Sequence, residues 1–226
     1  MSIAERFMAA FEGSTAAHGQ TEIGNTRRNG KTEAKSFVVR DPLTVDKIAK
    51  HLDGTTGVGA IPINEDNNCK FGVIDIDTYP IDHAALVRKL AKLEIPMSVC
   101  RSKSGGAHLY LFLEEFYPAS EIREFLTEVA ATLGHAGCEI FPKQDRILAD
   151  RGDVGNFINL PYFDSEQTTR YMVDHEGNDV DVETFLTWIE SSRLTMNDLS
   201  NLQTGVNTDE GPFATGYPCL QTMTAM

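Results

Sequence analysis

Apolar positions recur at helical spacing in five stretches of this chain, and between those stretches they run together or alternate as in strands. Ile3, Phe7, Met8 and Phe11 predict a short amphipathic helix from Ser2 to about Gly13. Thr44 caps a second helix through Leu52, closed by Gly54, with Val45, Ile48, Ala49 and Leu52 on one face. Asp82 caps a third, about His83 to Leu93, and Pro118 with Ser120 opens a fourth that carries Ile122, Phe125, Leu126, Val129 and Leu133 before Gly134. Asp181 caps the last, through about Ser191, with Phe185, Trp188 and Ile189 facing inward.

The extended stretches are SFVVRDP, VGAIPI, CKFGVIDID, PMSVCRS, AHLYLFL, EIF and NFINLPYF, with RYMVDHEGNDV as a hairpin around Glu176 and Gly177. Between VGAIPI and CKFGVIDID lies the turn NEDNN, so those two are expected to pair as a hairpin. KSGG joins PMSVCRS to AHLYLFL. The polar residues up to about Lys35 read as a loop or flexible arm, and the chain after Leu199 as polar and turn-rich. Alternating strands and helices give an α/β core with a mixed or largely antiparallel sheet. The expected division is a helix and arm over residues 1–35, a core over 36–175, a C-terminal helical part over 176–199 and a linker over 200–226.

One stretch breaks the apolar pattern. In CKFGVIDIDTYP two carboxylates, Asp75 and Asp77, interrupt a buried-looking strand two residues apart, which puts them on the same face as Val73 and opposite Gly72, Ile74 and Ile76. Like charges so placed repel unless water or a cation lies between them. A divalent metal is the simplest occupant.

Composition changes the picture in two respects. With 41% hydrophobic and 23% charged residues the chain is globular, and it has no apolar run long enough to span a bilayer and no signal-peptide core, so a cytoplasmic location is expected. Cys69, Cys100, Cys138 and Cys219 form no C-x-x-C pair, which speaks against a zinc ribbon or a disulfide framework. The net charge of -13 opposes nucleic acid as a partner at first sight. Residues 164–226, however, hold eleven acids and two bases, leaving only -4 for the rest. In that part the bases cluster: Arg27, Arg28, Lys31 and Lys35; Arg101 and Lys103; Lys143, Arg146 and Arg151.

Two further stretches carry chemistry. RSKSGGAHLYLF brings Lys103, Ser104, the Gly105–Gly106 turn and His108 to the mouth of a strand, a convergence of N–H groups, hydroxyl and ammonium that suits a triphosphate. CEIFPKQDR sets Glu139 in a short apolar strand, as Asp75 is set in its own. Asp77 to His108 and His108 to Glu139 are both intervals of 31 residues, each holding one helix and its return strand. Three polar-bearing strands can then lie side by side, with three carboxylates around one metal site. Asp145 is a rival for the third ligand.

In this order, GAIPINEDNNCKFGVIDID, SKSGGAHLYLF, EIFPKQ and GNFINLPYF resemble the archaeo-eukaryotic primase superfamily, in particular the primase-polymerases of phages and mobile elements, from about Phe11 to Arg193. The resemblance implies an α+β fold in which an RRM-like catalytic sheet packs beside a second α/β unit. It implies Asp75, Asp77 and Glu139 as catalytic ligands of Mg²⁺ or Mn²⁺, and His108 as the triphosphate-binding histidine. Members often carry Ser two residues before that histidine; Gly106 stands there, so Ser104 or Lys103 is expected to make the phosphate contact, with Gly105 and Gly106 in the turn. Lys143, Gln144 and Arg146 follow the third motif and are expected at nucleotide or template, Asn159 at the sugar, and Arg27, Arg28 and Lys31 along the template. The implied activity is template-dependent joining of NTPs or dNTPs on single-stranded DNA by two-metal phosphoryl transfer, with two Mg²⁺ or Mn²⁺ ions at the site. A metal-dependent nuclease and a non-catalytic single-strand-binding module remain the alternatives, beside solvated acids with no metal at all. The final DEGPFATGYPCLQTMTAM resembles the joint at which such primases continue into a further, often helicase-linked, module; no membrane is expected as a partner.

Overall fold

The structure is a computed structural model describing residues 1–28 and 31–205, with side chains described for residues 1–22 and 35–202. Its elements are α1 (Ile3–Ala10), β1 (His18–Arg28), β2 (Lys31–Val39), α2 (Val45–Leu52), β3 (Gly57–Ala60), β4 (Asn68–Ile76), α3 (His83–Lys92), β5 (Met97–Arg101), β6 (Ala107–Pro118), α4 (Ala119–Thr132), β7 (Glu139–Phe141), β8 (Ile158–Asn159), β9 (Met172–Val173), β10 (Asp179–Val180), α5 (Val182–Ser192) and α6 (Met196–Gly205). The sequence-coded caps are in place. Thr44 accepts from the Lys47 N–H, Asp82 from Ala85 and Asp181 from Thr184, and Ser2 with Glu5 closes a capping box at α1.

Two antiparallel sheets form, in the orders β2-β1-β3-β8 and β10-β9-β5-β6-β4-β7. Within the larger sheet the run β4-α3-β5-β6-α4-β7 is a βαββαβ unit with β4 and β6 at its centre, the RRM-like arrangement expected. One face buries Ile74, Ile76, Leu109 and Leu111 against Leu86 and Leu90 of α3 and Ile122, Phe125, Leu126 and Val129 of α4. Gly72 lets α4 settle onto β4: a Cβ there would lie 2.6 Å from Leu126 and 2.9 Å from Ile122. The opposite face, with Phe71, Val73, Cys100, Tyr110 and Phe112, packs on Val58, Ala60 and Ile158 of the smaller sheet and on Phe7, Phe11 and Phe185. Aligned apolar faces of this kind are what hold two sheets together.

Several expectations change. The stretch to Lys35 is no flexible arm but the β1–β2 hairpin, anchored where Gly19, Gln20 and Thr21 pair with β3. A hairpin that is polar on both sides shows no period-2 alternation, so pattern reading misses it. The expected β3–β4 hairpin does not form. Those strands belong to different sheets; after β3 the chain meets β4 at the bridge Ile63↔Cys69 and where Asn64 N–H donates to the Asn68 carbonyl. Pairing follows packing instead: the Phe157 ring lies over Gly19 and Gly59, where added Cβ atoms would come within 2.2 and 2.6 Å of it, and this binds β1, β3 and β8 together. Of NFINLPYF only Ile158 and Asn159 are strand. The chain continues past Leu199 as α6 before residues 206–226, and the expected linker there lies outside the described residues. Among the described residues no helix is long and apolar enough to cross a membrane.

Candidate active site

Antiparallel register puts directly opposed residues on the same face. Asp75 pairs with His108 on one side and Glu139 on the other, and His108 in turn pairs with Cys100, which pairs with Met172. A single row therefore crosses five strands, and three successive positions from its β7 end, Glu139, Asp75 and His108, are polar. This row ends the apolar face that packs between the sheets. Val73, the next residue of β4 on that face, is fully buried, whereas the Asp75 and His108 side chains retain 14% and 12% of their exposure. The expected juxtaposition of three polar-bearing strands is what the fold contains, with β4 in the middle.

Beyond this row opens a cleft of about 180 Å³. Asp75, Asp77 and His108 form one side, the β5–β6 loop with Arg101, Ser102, Lys103 and Ser104 a second, and Asn159, Leu160, Pro161 and Arg170 a third. Asp75 Oδ1 lies 3.3 Å from His108 Nε2 without the alignment of a hydrogen bond, and this buried oxygen has no hydrogen-bond partner. His108 Nδ1 is 3.1 Å from the Tyr110 hydroxyl, which is also 3.4 Å from the Asn159 carbonyl. Burial, then the neighbouring Cys100 and Asp75, pushes the Tyr110 phenol well up, so it stays a neutral donor. Tyr110 has a single proton for two neighbours: the Asn159 carbonyl can only accept it, whereas His108 Nδ1 can either accept it or donate its own to the phenol oxygen, so Tyr110 anchors the ring without fixing which nitrogen carries the proton.

Asp77, just past the end of β4, accepts from the Tyr79 hydroxyl at 2.9 Å. The β5–β6 turn is held close by Ser102 N–H donating to the Gly106 carbonyl at 2.8 Å. Gly106 has no room for a side chain: a Cβ would lie 2.3 Å from the Ile76 carbonyl and 3.4 Å from Asp77 Oδ1. That is the physical reason for glycine where members of the resembled group often carry serine. Three cations face the acids. Arg170 is stacked 5.3 Å from the Phe163 ring and Arg101 5.9 Å from Tyr171. Burial, then Arg170, holds the Lys103 amine below its usual value, as burial does the Arg170 guanidinium. On the far wall Asn159 Oδ1 accepts from Thr21, whose hydroxyl also meets Ser36 at 2.8 Å.

Other expected residues lie apart from the cleft. The exposed Glu139 carboxylate accepts from Lys143 at 2.8 Å, and both line a separate cavity beside Arg123 of α4. Asp145 is ion-paired with Arg123 in the connection after β7, so of the two rivals only Glu139 stands opposite Asp75. Among the described residues no three His, Cys, Asp or Glu side chains are gathered closely enough to hold one metal ion between them. Gln144 and Arg146 follow Lys143 without reaching the cleft. The side chains of Arg27, Arg28 and Lys31 lie outside the described residues. Sequence reasoning missed Arg170. It belongs to no motif; the pairing of β9 with β5 and the Tyr162 N–H, which donates to its carbonyl at 2.9 Å, carry it to the cleft.

Residues 13–193, most of the chain, match the family model for the archaeo-eukaryotic primase domain of the TOTE conflict system. The chain belongs to the archaeo-eukaryotic primases. The match covers the whole two-sheet core and every element lining the cleft of this primase domain. No curated protein matches it. Family membership points to a primase/nucleotidyltransferase-type function and agrees with the α+β architecture read above.

Proposed function

We propose that this primase domain joins NTPs or dNTPs on a single-stranded DNA template with Mg²⁺ or Mn²⁺ at the Asp75 cleft. The observation that carries the reading is the buried Asp75 Oδ1, left without a hydrogen-bond partner at the edge of a cleft whose opposite walls hold Arg101, Lys103 and Arg170. A carboxylate oxygen so placed suits a hard divalent cation, and the facing cations suit a polyphosphate. Asp75 and Asp77 would hold the metal; Glu139, one strand over, is engaged by Lys143 in a separate cavity and would have to leave that partner to join them. When bound, the cation would supply charge neutralisation at the attacking 3′-hydroxyl and the departing pyrophosphate.

The chain's own residues account for the rest. Lys103, Arg101 and Arg170 bind and orient the triphosphate, and His108, its ring anchored by Tyr110, contacts it from the β6 side. The Asn159 amide, its oxygen engaged by Thr21, offers Nδ2 toward the sugar. The template is proposed to run along basic surface outside the cleft, including Arg27, Arg28, Lys31 and Arg146, with a helicase module or partner acting in concert. Incubating the chain with circular single-stranded DNA, labelled nucleotides and Mn²⁺ tests this. Products from the wild type and none from Asp75→Ala/Asp77→Ala are expected; no incorporation by either protein would overturn the proposal.

A further inference from the structure

Asp77 is joined to the phosphate-facing loop by a chain of hydroxyl groups. The Tyr79 hydroxyl lies 2.9 Å from Asp77 Oδ1 and 2.6 Å from Ser104 Oγ, and Ser104 Oγ lies 3.2 Å from Ser102 Oγ. Donor chemistry fixes the direction of this chain. An ionised carboxylate only accepts, so the single Tyr79 proton goes to Asp77. Ser104 must then donate to Tyr79, and Ser102 to Ser104. Every proton points the same way and the series ends on a negative charge, the arrangement in which successive hydrogen bonds polarise and strengthen one another.

The direction has a cost for the loop. While Ser104 donates to Tyr79, its proton is turned away from any phosphate oxygen in the cleft. We infer that Tyr79 is a positioning residue that couples the two ends of the site: its hydroxyl orients Asp77 for the cation and holds Ser104 in reserve until a triphosphate claims the Ser104 proton. This rests on the proposed cation and triphosphate occupancy of the cleft. Tyr79 itself is 54% exposed and packs in neither core cluster, so its ring contributes little to the fold and its hydroxyl can be removed alone. The close approach of Gly106 to Asp77 keeps the loop within reach of the relay.

The test is a double-mutant cycle on the full chain, read by Mn²⁺ binding from the electron paramagnetic resonance signal of the free ion. Tyr79→Phe is expected to weaken Mn²⁺ binding about tenfold, as loss of a group orienting a metal ligand does. Ser104→Ala is expected to weaken it about threefold when Tyr79 is present and not at all in the Tyr79→Phe background. In chelator, without metal, Tyr79→Phe is expected to bind a nucleoside triphosphate about threefold more tightly, because Ser104 is released; a merely structural role would leave that affinity unchanged or lower it. Equal effects of Ser104→Ala in both backgrounds, with Asp75→Asn still abolishing Mn²⁺ binding, would overturn the relay alone. Mn²⁺ binding unaffected by Asp75→Asn would overturn the cation reading and the relay with it.

Discussion

Asp75 and His108 stand opposite each other on the two central strands of the larger sheet, Oδ1 3.3 Å from Nε2, at the point where a face that is apolar along its length meets a cleft. Neither side chain is free to turn away, because each is flanked by strands on both sides. In the proposed reaction the pair would fix where cation and phosphate meet.

Tyr110 acts on the nucleotide only through His108. Tyr110→Phe keeps the ring in the core and removes the hydroxyl that anchors the imidazole, so KM for the nucleotide should rise about three- to tenfold with kcat little changed. His108→Ala should raise KM further. Steady-state kinetics at saturating template distinguish the two, and an equal fall in kcat and kcat/KM for Tyr110→Phe would contradict the assignment.

Arg170 faces the cleft beside Lys103 and has no carboxylate partner among the ion pairs of the described residues. Arg170→Gln should weaken nucleoside triphosphate binding about tenfold while changing nucleoside monophosphate binding little, since the cation is placed for the outer phosphates. Equilibrium titration of both ligands checks this.

Gly106 is enforced by the Ile76 carbonyl rather than by a left-handed backbone. Gly106→Ser should therefore push the β5–β6 turn off Asp77 and destabilise the protein by about 1–3 kcal/mol, as overpacking does. Urea unfolding measures the loss. Activity should fall further than stability explains, because Ser102, Ser104 and Asp77 are displaced together.

These residues differ in how far the sequence announced them. That Asp75, His108 and Glu139 stand on neighbouring strands was legible because each is a polar residue in a strand that reads as buried and the βα units are evenly spaced; that the Glu139 carboxylate turns to Lys143 and a separate cavity was not. The RRM-like order of β5, β6, β4 and β7 was expected from the family resemblance and not from the pattern itself. The β1–β2 hairpin was not legible, since neither of its faces is continuously apolar. The placing of β3 away from β4 was hidden as well: it depends on Phe157 lying over Gly19 and Gly59, contacts between residues up to 138 apart in the chain. Arg170 and Tyr79 carry no pattern of their own and acquire a role only from what lies opposite them.

His51 gives the fold a pH dependence of known sign. It is fully buried between the Val58 N–H, which donates to Nδ1 at 3.0 Å, and the Pro161 carbonyl, which accepts from Nε2 at 2.7 Å. Burial lowers its pKa from 6.5 to about 4. The unfolded chain then binds the proton first, so stability from this residue is full above about pH 6.5 and is lost as pH falls toward 4, by roughly 3 kcal/mol in all. Because Pro161 lines the cleft, nucleotide binding should weaken over the same range. His51→Gln should be less stable at pH 7 and should lack this part of the slope in urea midpoints measured between pH 7 and 4.5.

The central claim is nucleotidyl transfer at the Asp75 cleft, and pyrophosphate release is its most direct measure. With single-stranded DNA, nucleotides and Mn²⁺, the wild-type chain should release one pyrophosphate per nucleotide joined, only when template is present, and Asp75→Ala should release none. New DNA ends appearing without any pyrophosphate would contradict the account and make the cleft a nuclease site.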